Sequence, residues 1–228
     1  INQIMDAAKP YDGIQIDFEL IPGRDADNFI SFLKELSDLA KKQEKVFSVC
    51  VPARVKTISD DVFPYKKIGD LADKVIVMAY DEHWSTSKAG PIASFKWCQK
   101  IVDYSVTVIP QEKLVMGLPF YGRTWSEKKP AQAWYYSGIN RIMKENGAKK
   151  VEYIDGIPSV KFNMDVEVTG FFEDVNSVVQ KMRLYDYKNV KNTALWRIGK
   201  EDSDVWGWIK IKDETANLEE SEETTETK

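Results

Sequence analysis

Between Tyr11 and Leu20 the chain reads YDGIQIDFEL, and the apolar Ile14, Ile16 and Phe18 alternate with the polar Gln15, Asp17 and Glu19. Alternation at period two predicts a β-strand over Gly13 to Glu19, one face aliphatic and aromatic, the other bearing an amide and two carboxylates. The period then lengthens. Phe29, Ile30, Phe32, Leu33, Leu36 and Leu39 recur at helical spacing behind the capping candidates Asp25 and Asp27. Val46 to Val51 is an apolar strand ended by Pro52, and a loop and a short helical segment lead to another strand over Lys74 to Tyr80. Pro91 opens a helix whose stripe includes Phe95, Cys98, Ile101 and Val102, and Leu114 to Leu118 is the next strand. After Tyr121 the regularity breaks. A Trp- and Tyr-rich loop, a helix around Ile139 to Glu145 and two or three short strands between Val151 and Phe172 predict an inserted α+β unit over about 126–173. Alternation resumes with a helix from Asp174, stripe Val175, Val178, Val179 and Met182, and a strand over Thr193 to Ile198.

Five strands alternating with helices predict an α/β fold with a parallel sheet and right-handed crossovers. Parallel strands are normally apolar on both faces, because helices cover one side and packed side chains fill the other. Gln15, Asp17 and Glu19 break that rule, whereas Ile14, Ile16 and Phe18 suit the helix-facing side. The polar face therefore points inward, into a barrel. One reading is an internal hydrogen-bond network that only fixes the strand. The other is an active site, since the charged end lies toward the strand's C-terminus, where barrels build their chemistry. On that reading Glu19 sits at the mouth as a general acid, helped by its charged neighbour and by partial burial to keep its proton, and Asp17 lies one layer deeper. Alternate strand residues are roughly 6.7 Å apart and project the same way. Both acids then approach a substrate from one side. Two carboxylates acting in the ordinary way on a glycosidic bond flank it from opposite faces, so a nucleophile must come from elsewhere, and a substrate N-acetyl group is a candidate.

Composition narrows the field further. The 228 residues are 43% hydrophobic and 30% charged, the balance of a globular domain. A net charge of −4 argues against nucleic acid as a partner, since phosphate binding needs a concentrated excess of Lys and Arg. Cys50 and Cys98 lie in apolar segments without metal-ligand spacing, and with one histidine, His83, they read as small buried hydrophobes; no metal is expected. His83 has no recognisable serine or cysteine partner and reads as a structural or rim residue. No apolar run reaches the roughly 20 residues of a membrane span, so no membrane insertion is expected. The opening INQIMDAAKPYDG reads as the end of a helix feeding a strand, and the stretch 213–228 as an acidic flexible tail after a catalytic unit over 1–212.

Four segments in order carry a family likeness. The first strand resembles the D-x-x-D-x-D-x-E signature of glycoside hydrolase family 18, the chitinase-like barrels: Asp12, Asp17 and Glu19 match, and Gln15 replaces the second Asp. MAYDEHW at Met78 to Trp84, GLPFYGR at Gly117 to Arg123 and ALWRIGKED at Ala194 to Asp202 resemble further family motifs. The DFE ending, the HW after Tyr80–Asp81 and the FFED segment place the likeness nearest the bacterial spore-cortex and cell-wall N-acetylglucosaminidase branch, where an amide at the Gln15 position is common.

The resemblance implies a (β/α)8 TIM barrel in which the first strand here is the fourth, so that the first three are expected to be absent from this sequence, with the α+β insertion after strand seven. It implies a hydrolase of β-linked N-acetylglucosamine glycans, peptidoglycan, cortex or chitin, working outside the cell, in the envelope or in the spore, without a cofactor. Glu19 would protonate the glycosidic oxygen while the acetamido carbonyl attacks the anomeric carbon; Asp17 would orient the acetamido N–H; Tyr80 would donate to its oxygen. Gln15, Met78, Asp81, Tyr121 and Trp196 would bind substrate, with Trp196 as the floor under the reactive sugar. Arg123 either binds or anchors its loop, and Trp84, Trp125 and Trp134 either extend the cleft or pack the insertion. A chitinase-like lectin that keeps the cleft without hydrolysing is the alternative that Gln15 leaves open, and a structural envelope protein ranks last. Oligomeric state is not legible.

Overall fold

The computed structural model describes residues 1–126, 129–163 and 167–210. The acidic tail expected at 213–228 lies outside the described residues. Helix α1 (Asn2–Ala7) leads into β1 (Gly13–Ile16). Then α2 (Ala26–Lys42) returns to β2 (Val46–Pro52), α3 (Tyr65–Leu71) to β3 (Lys74–Met78), and α4 (Phe95–Val108) to β4 (Leu114–Pro119). An antiparallel unit follows, made of β5 (Gly122–Ser126), β6 (Lys129–Trp134), α5 (Tyr136–Glu145), β7 (Val151–Ile154), β8 (Ile157–Asn163) and β9 (Glu167–Phe171). Helix α6 (Val175–Tyr187) and β10 (Asn192–Trp196) restore the α/β rhythm.

The alternating strands form one parallel sheet in the order β1-β2-β3-β4-β10, as the alternation predicts. Its helix-facing side buries Phe47, Val49, Val51, Val75, Val77, Leu114, Met116 and Leu118 against Leu33 and Leu36 of α2, Ile68 of α3, Ile101 and Val102 of α4 and Leu184 of α6. Each such aliphatic contributes about 1.5–3 kcal/mol by leaving water, which is what holds helices to sheet. The opposite face carries a small apolar cluster of Cys50, Ile76 and Val115 with Met78 and Ala194 beside it. Ile14 and Ile16 are buried on the helix side, and Gln15 between them faces the other way and is exposed. Among the described residues β1 and β10 are edges, so the sheet is open rather than a closed barrel.

Three boundaries differ from expectation. The first strand stops at Ile16, opposite Val49, and not at Glu19: Asp17 to Glu19 run on outside the ladder, and Leu20 at φ 55° turns the chain away. Helix α4 starts at Phe95 rather than Pro91, because the Pro91 carbonyl accepts from His83 and the Ile92 carbonyl from Glu82 N–H; the Ser94 hydroxyl then caps Trp97 N–H at 3.4 Å. The Trp/Tyr-rich loop is a hairpin, β5 with β6, completing a five-stranded antiparallel sheet β6-β5-β9-β8-β7 that begins at Gly122, earlier than the expected 126. This sheet meets the parallel one through Ile92, Tyr121, Trp125, Ala131, Ile157 and Phe171, with Tyr80 packed against them.

Candidate active site

The site is assembled at the C-terminal ends of β1, β3, β4 and β10. Gln15 pairs in register with Ser48, so the polar residues of β1 stand on the same face as Cys50, the next inward position of β2. Ser48 Oγ lies 3.3 Å from the Ile14 carbonyl, to which it donates, and 3.5 Å from Gln15 Oε1. Asp17 and Glu19 follow Gln15 at alternate positions, and their charges are felt on the neighbouring strands. The Cys50 thiol is pushed up to about 12, first by burial, then by the negative charge of Asp17 and a hydrogen bond to it, and lastly by Glu19. The Tyr80 hydroxyl is raised above its ordinary range by burial, then by Cys50, Asp17, Asp81 and Glu19. It stays protonated and remains a donor throughout the neutral range.

Raising the Cys50 titration has a direct consequence. With the thiol near 12, the thiolate fraction at pH 8 is on the order of 10⁻⁴, and the thiolate is the reactive form. Alkylation of Cys50 at pH 8 is therefore expected to be much slower in the folded protein than in urea. Asp17→Asn removes the charge contribution but not the burial, so it should speed Cys50 alkylation roughly threefold to tenfold while leaving Cys98, which has no Asp17 contribution, unchanged. Peptide mass spectrometry of the two cysteines reads the ratio; an unchanged Cys50 rate would mean that Asp17 does not act on Cys50, and equal acceleration of both would mean that the fold has loosened.

Tyr80 is placed by its neighbours. A Cβ added to Gly117 on β4 would come within 2.9 Å of both Tyr80 Cε1 and the Val77 carbonyl oxygen, so the bare backbone of the GLPFYGR segment is what lets the ring lie against the sheet. On its other side Tyr121 packs edge-to-face, with ring centroids 6.4 Å apart. Asp81, next in the chain, has φ 57°, a left-handed conformation that Asp tolerates better than most residues. Its Oδ1 accepts from Tyr121 Oη at 2.6 Å and from Arg123 Nε at 3.1 Å and Nη2 at 2.7 Å. The Arg123 guanidinium also lies over the Tyr121 ring, 5.5 Å from its centroid. Arg123 thus anchors Asp81 and Tyr121, and Asp81 Oδ2 has no hydrogen-bond partner among the described residues. Burial and the Asp81 charge hold the Tyr121 hydroxyl in its neutral form.

Met78 lies half-buried on the site face beside Cys50, Ile76 and Val115. Trp196 ends β10 in register with Pro119 and is half exposed at the same end of the sheet, separated from Tyr80 by β4; the Trp196 carbonyl accepts from Phe120 N–H at 2.8 Å. Glu19 is exposed, so the burial expected of it is corrected: it lies past the end of β1, an edge strand of the sheet. Of the three rim tryptophans, Trp125 is buried in the inter-sheet core with its indole N–H on the Trp84 carbonyl, and Trp134 donates to Thr124 Oγ1. Both pack the insertion. Trp84 alone is exposed. His83 Nδ1 donates to the Pro91 carbonyl at 2.8 Å, and the ring fills the space left by Gly90, a structural role. Cys50 and Gly117 were not foreseen as part of the site: assigning them needs the β1–β2 and β3–β4 registers, which no local pattern encodes.

The chain is similar to known proteins. The chain is 27% identical over 227 residues to the uncharacterized glycosylase YvbX of Bacillus subtilis, covering 92% of this chain and 64% of that protein. It is 24% identical over 223 residues to the cortical fragment-lytic enzyme of Bacillus subtilis, covering 90% of this chain and 51% of that protein. The chain thus spans only about half to two thirds of the length of these relatives. The solved chitinase of Chromobacterium violaceum superposes with a TM-score of 0.81 at 26% identity, covering 90% of this chain and 68% of that one. The sequence profile of Glycosyl hydrolases family 18 matches residues 1–201, taking in Asp17 and Glu19, the Tyr80–Asp81 pair, the Gly117–Arg123 segment and the Trp196 strand end, and on that match the chain belongs to this family.

Proposed function

We infer that the protein is a retaining hydrolase of β-linked N-acetylglucosamine glycans, acting by substrate-assisted catalysis. The observation that carries the reading is the one-sided placement of the acids. Asp17 and Glu19 follow one another in the segment that continues from the edge strand β1, and both act electrostatically on Cys50 of β2 and on Tyr80 just past the end of β3. Acids that reach a substrate from one side cannot flank the bond as the ordinary pair of carboxylates does, and Asp81 is held by Tyr121 and Arg123, so the part of nucleophile is assigned to the acetamido oxygen of the substrate.

Each group then has one task. Glu19, open to solvent at the strand end, gives its proton to the departing glycosidic oxygen and afterwards takes one from the water that opens the oxazolinium ion. Asp17 accepts the acetamido N–H and balances its developing positive charge. Tyr80, held neutral, donates to the acetamido oxygen as it approaches the anomeric carbon. Asp81 offers Oδ2 to sugar hydroxyls from a position fixed by Arg123 and Tyr121. Met78 and Trp196 supply apolar surface to the sugar's C–H face, and Gln15 lies beneath Asp17.

In this reading β1, β2, β3, β4 and β10 occupy the positions of the fourth to eighth strands of a TIM barrel. The substrate belongs to the cell wall, cortex or chitin, and the place of action is outside the cell, in the envelope or in the spore; the cortical fragment-lytic relative supports that location. No helix among the described residues is long and apolar enough to cross a membrane. The test is a pair of matched oligosaccharides, one N-acetylated and one de-N-acetylated, offered to the full-length protein. Release of reducing ends from the first with retained β-configuration, and about 10³-fold less from the second, is the expected result, since the nucleophile has been removed. Equal cleavage of both sinks the substrate-assisted mechanism. Binding without cleavage of either makes the protein a lectin.

A further inference from the structure

The turn after β10 contains a cation that the proposed chemistry does not use. Lys200 is half-buried, and its backbone is tied down on both sides: its carbonyl accepts from Tyr136 N–H at 2.9 Å, and its own N–H reaches the Arg197 carbonyl at 3.3 Å. Its ammonium lies 5.2 Å from the centroid of Tyr135 and 5.9 Å from that of Tyr121. Two aromatic faces therefore hold the charge in place. Rings attract a cation but supply no acceptor lone pairs, so the three ammonium hydrogens lack a strong partner there.

The acids that could neutralise it are engaged elsewhere. Glu201 accepts from Gly199 N–H at 2.5 Å and from Trp206 Nε1 at 3.0 Å, and Asp202 accepts from Val175 N–H at 3.1 Å and Asp204 N–H at 3.3 Å. Those bonds hold the Glu201 carboxyl below its ordinary range despite partial burial. The other cation on the Tyr121 ring, Arg123, is already paired with Asp81. Lys200 forms no ion pair within 4.0 Å among the described residues.

Its position makes this consequential. Tyr121 donates to Asp81 and packs on Tyr80, so the Lys200 ammonium stands one ring away from the group that would hold the acetamide. We propose that Lys200, set between Tyr121 and Tyr135, is a specificity determinant that binds a carboxylate carried by the glycan, favouring acidic muramic-acid-containing glycan over neutral chitin. The inference rests on the hydrolase reading above and refines its substrate class. Chitin has no carboxylate to offer. A muramic acid residue offers a lactyl carboxylate when bare and the carboxylates of its stem peptide when substituted, because the lactyl group is then consumed in an amide.

The test compares three oligosaccharides of equal length on the full-length protein: neutral N-acetylglucosamine oligomer, alternating glycan with free lactyl groups, and the same glycan bearing stem peptides. For each acidic glycan the readout is the ratio of its kcat/KM to that of the neutral oligomer. Lys200→Met is expected to lower that ratio about tenfold, through KM, and Lys200→Arg to keep most of it, which separates a charge effect from a packing one. A larger fall on the bare glycan assigns the lactyl carboxylate, and a larger fall on the peptide-bearing one assigns the peptide. A ratio unchanged in Lys200→Met, or lowered equally in Lys200→Arg, overturns the proposal. If the unsubstituted protein hydrolyses none of the three, the hydrolase reading fails separately, and calorimetric dissociation constants for the same glycans decide the role of Lys200 without turnover.

Discussion

Glu19→Gln is expected to lower kcat on an N-acetylated glycan by about 10³-fold or more, at the upper part of the range for removing a general acid. The substitution keeps the side chain's shape and its ability to hydrogen-bond, and removes only the transferable proton. Since Glu19 is exposed and outside the β-ladder, folding stability should change by no more than about 0.5 kcal/mol. Substrate affinity, measured by calorimetry on the inactive protein, should stay within about threefold, because ground-state binding does not depend on the proton being delivered. The combination is diagnostic: loss in kcat with retained binding assigns Glu19 to the chemical step, and unimpaired release of reducing ends takes it out of the mechanism. A rise in KM with kcat untouched would make it a binding residue only.

Much of this architecture could be read from spacing alone, for a definable reason. Parallel strands covered by helices must be apolar on the covered side, so Ile14, Ile16, Val49, Val75, Val77, Met116 and Leu118 announce both the strands and their outward direction. The same logic makes Gln15, Asp17 and Glu19 conspicuous, because a polar inward face departs from the apolar rule for parallel strands. Element ends were less legible, since they depend on tertiary partners. The start of α4 is set by which loop carbonyls His83 and Glu82 occupy, and β1 ends where its chain leaves β2. The β5–β6 hairpin hid among aromatic residues: Trp125 and Trp134 look like rim residues in sequence, yet the sheet buries one and half-buries the other. For the site, motif residues were identifiable, but the residues that place them were not. Gly117 matters through a contact with Tyr80, and Arg123 through Asp81; both are relations across strands.

Lys181→Met is expected to destabilise the protein by about 3–5 kcal/mol, the range for breaking one side of a buried ion pair. Lys181 and Glu173 are each about 1% exposed, and Nζ lies 2.5 Å from Oε2. Ser177 Oγ donates to the same oxygen at 2.6 Å, and Lys181 also reaches the Ala93 carbonyl at 3.3 Å, bracing the segment that precedes α4. Glu173 Oε1 is buried with no partner among the described residues, so the carboxylate depends heavily on this one cation. Burial already raises the Glu173 titration, with Lys181 and Ser177 opposing it. Without the ammonium the carboxyl moves further up, and the folded state holds its proton to higher pH than the unfolded state does. Where the folded state binds more protons, stability falls as pH rises. The deficit of Lys181→Met should therefore be smallest at pH 5 and grow toward pH 8, as read from urea midpoints across that range. Adding Glu173→Gln removes the stranded charge, so the double variant should recover most of the loss and flatten its pH dependence. A single variant that loses under 1 kcal/mol, or a deficit that does not grow toward pH 8, would show that Glu173 is neutral in the native protein and that the pair is a hydrogen bond rather than an ion pair.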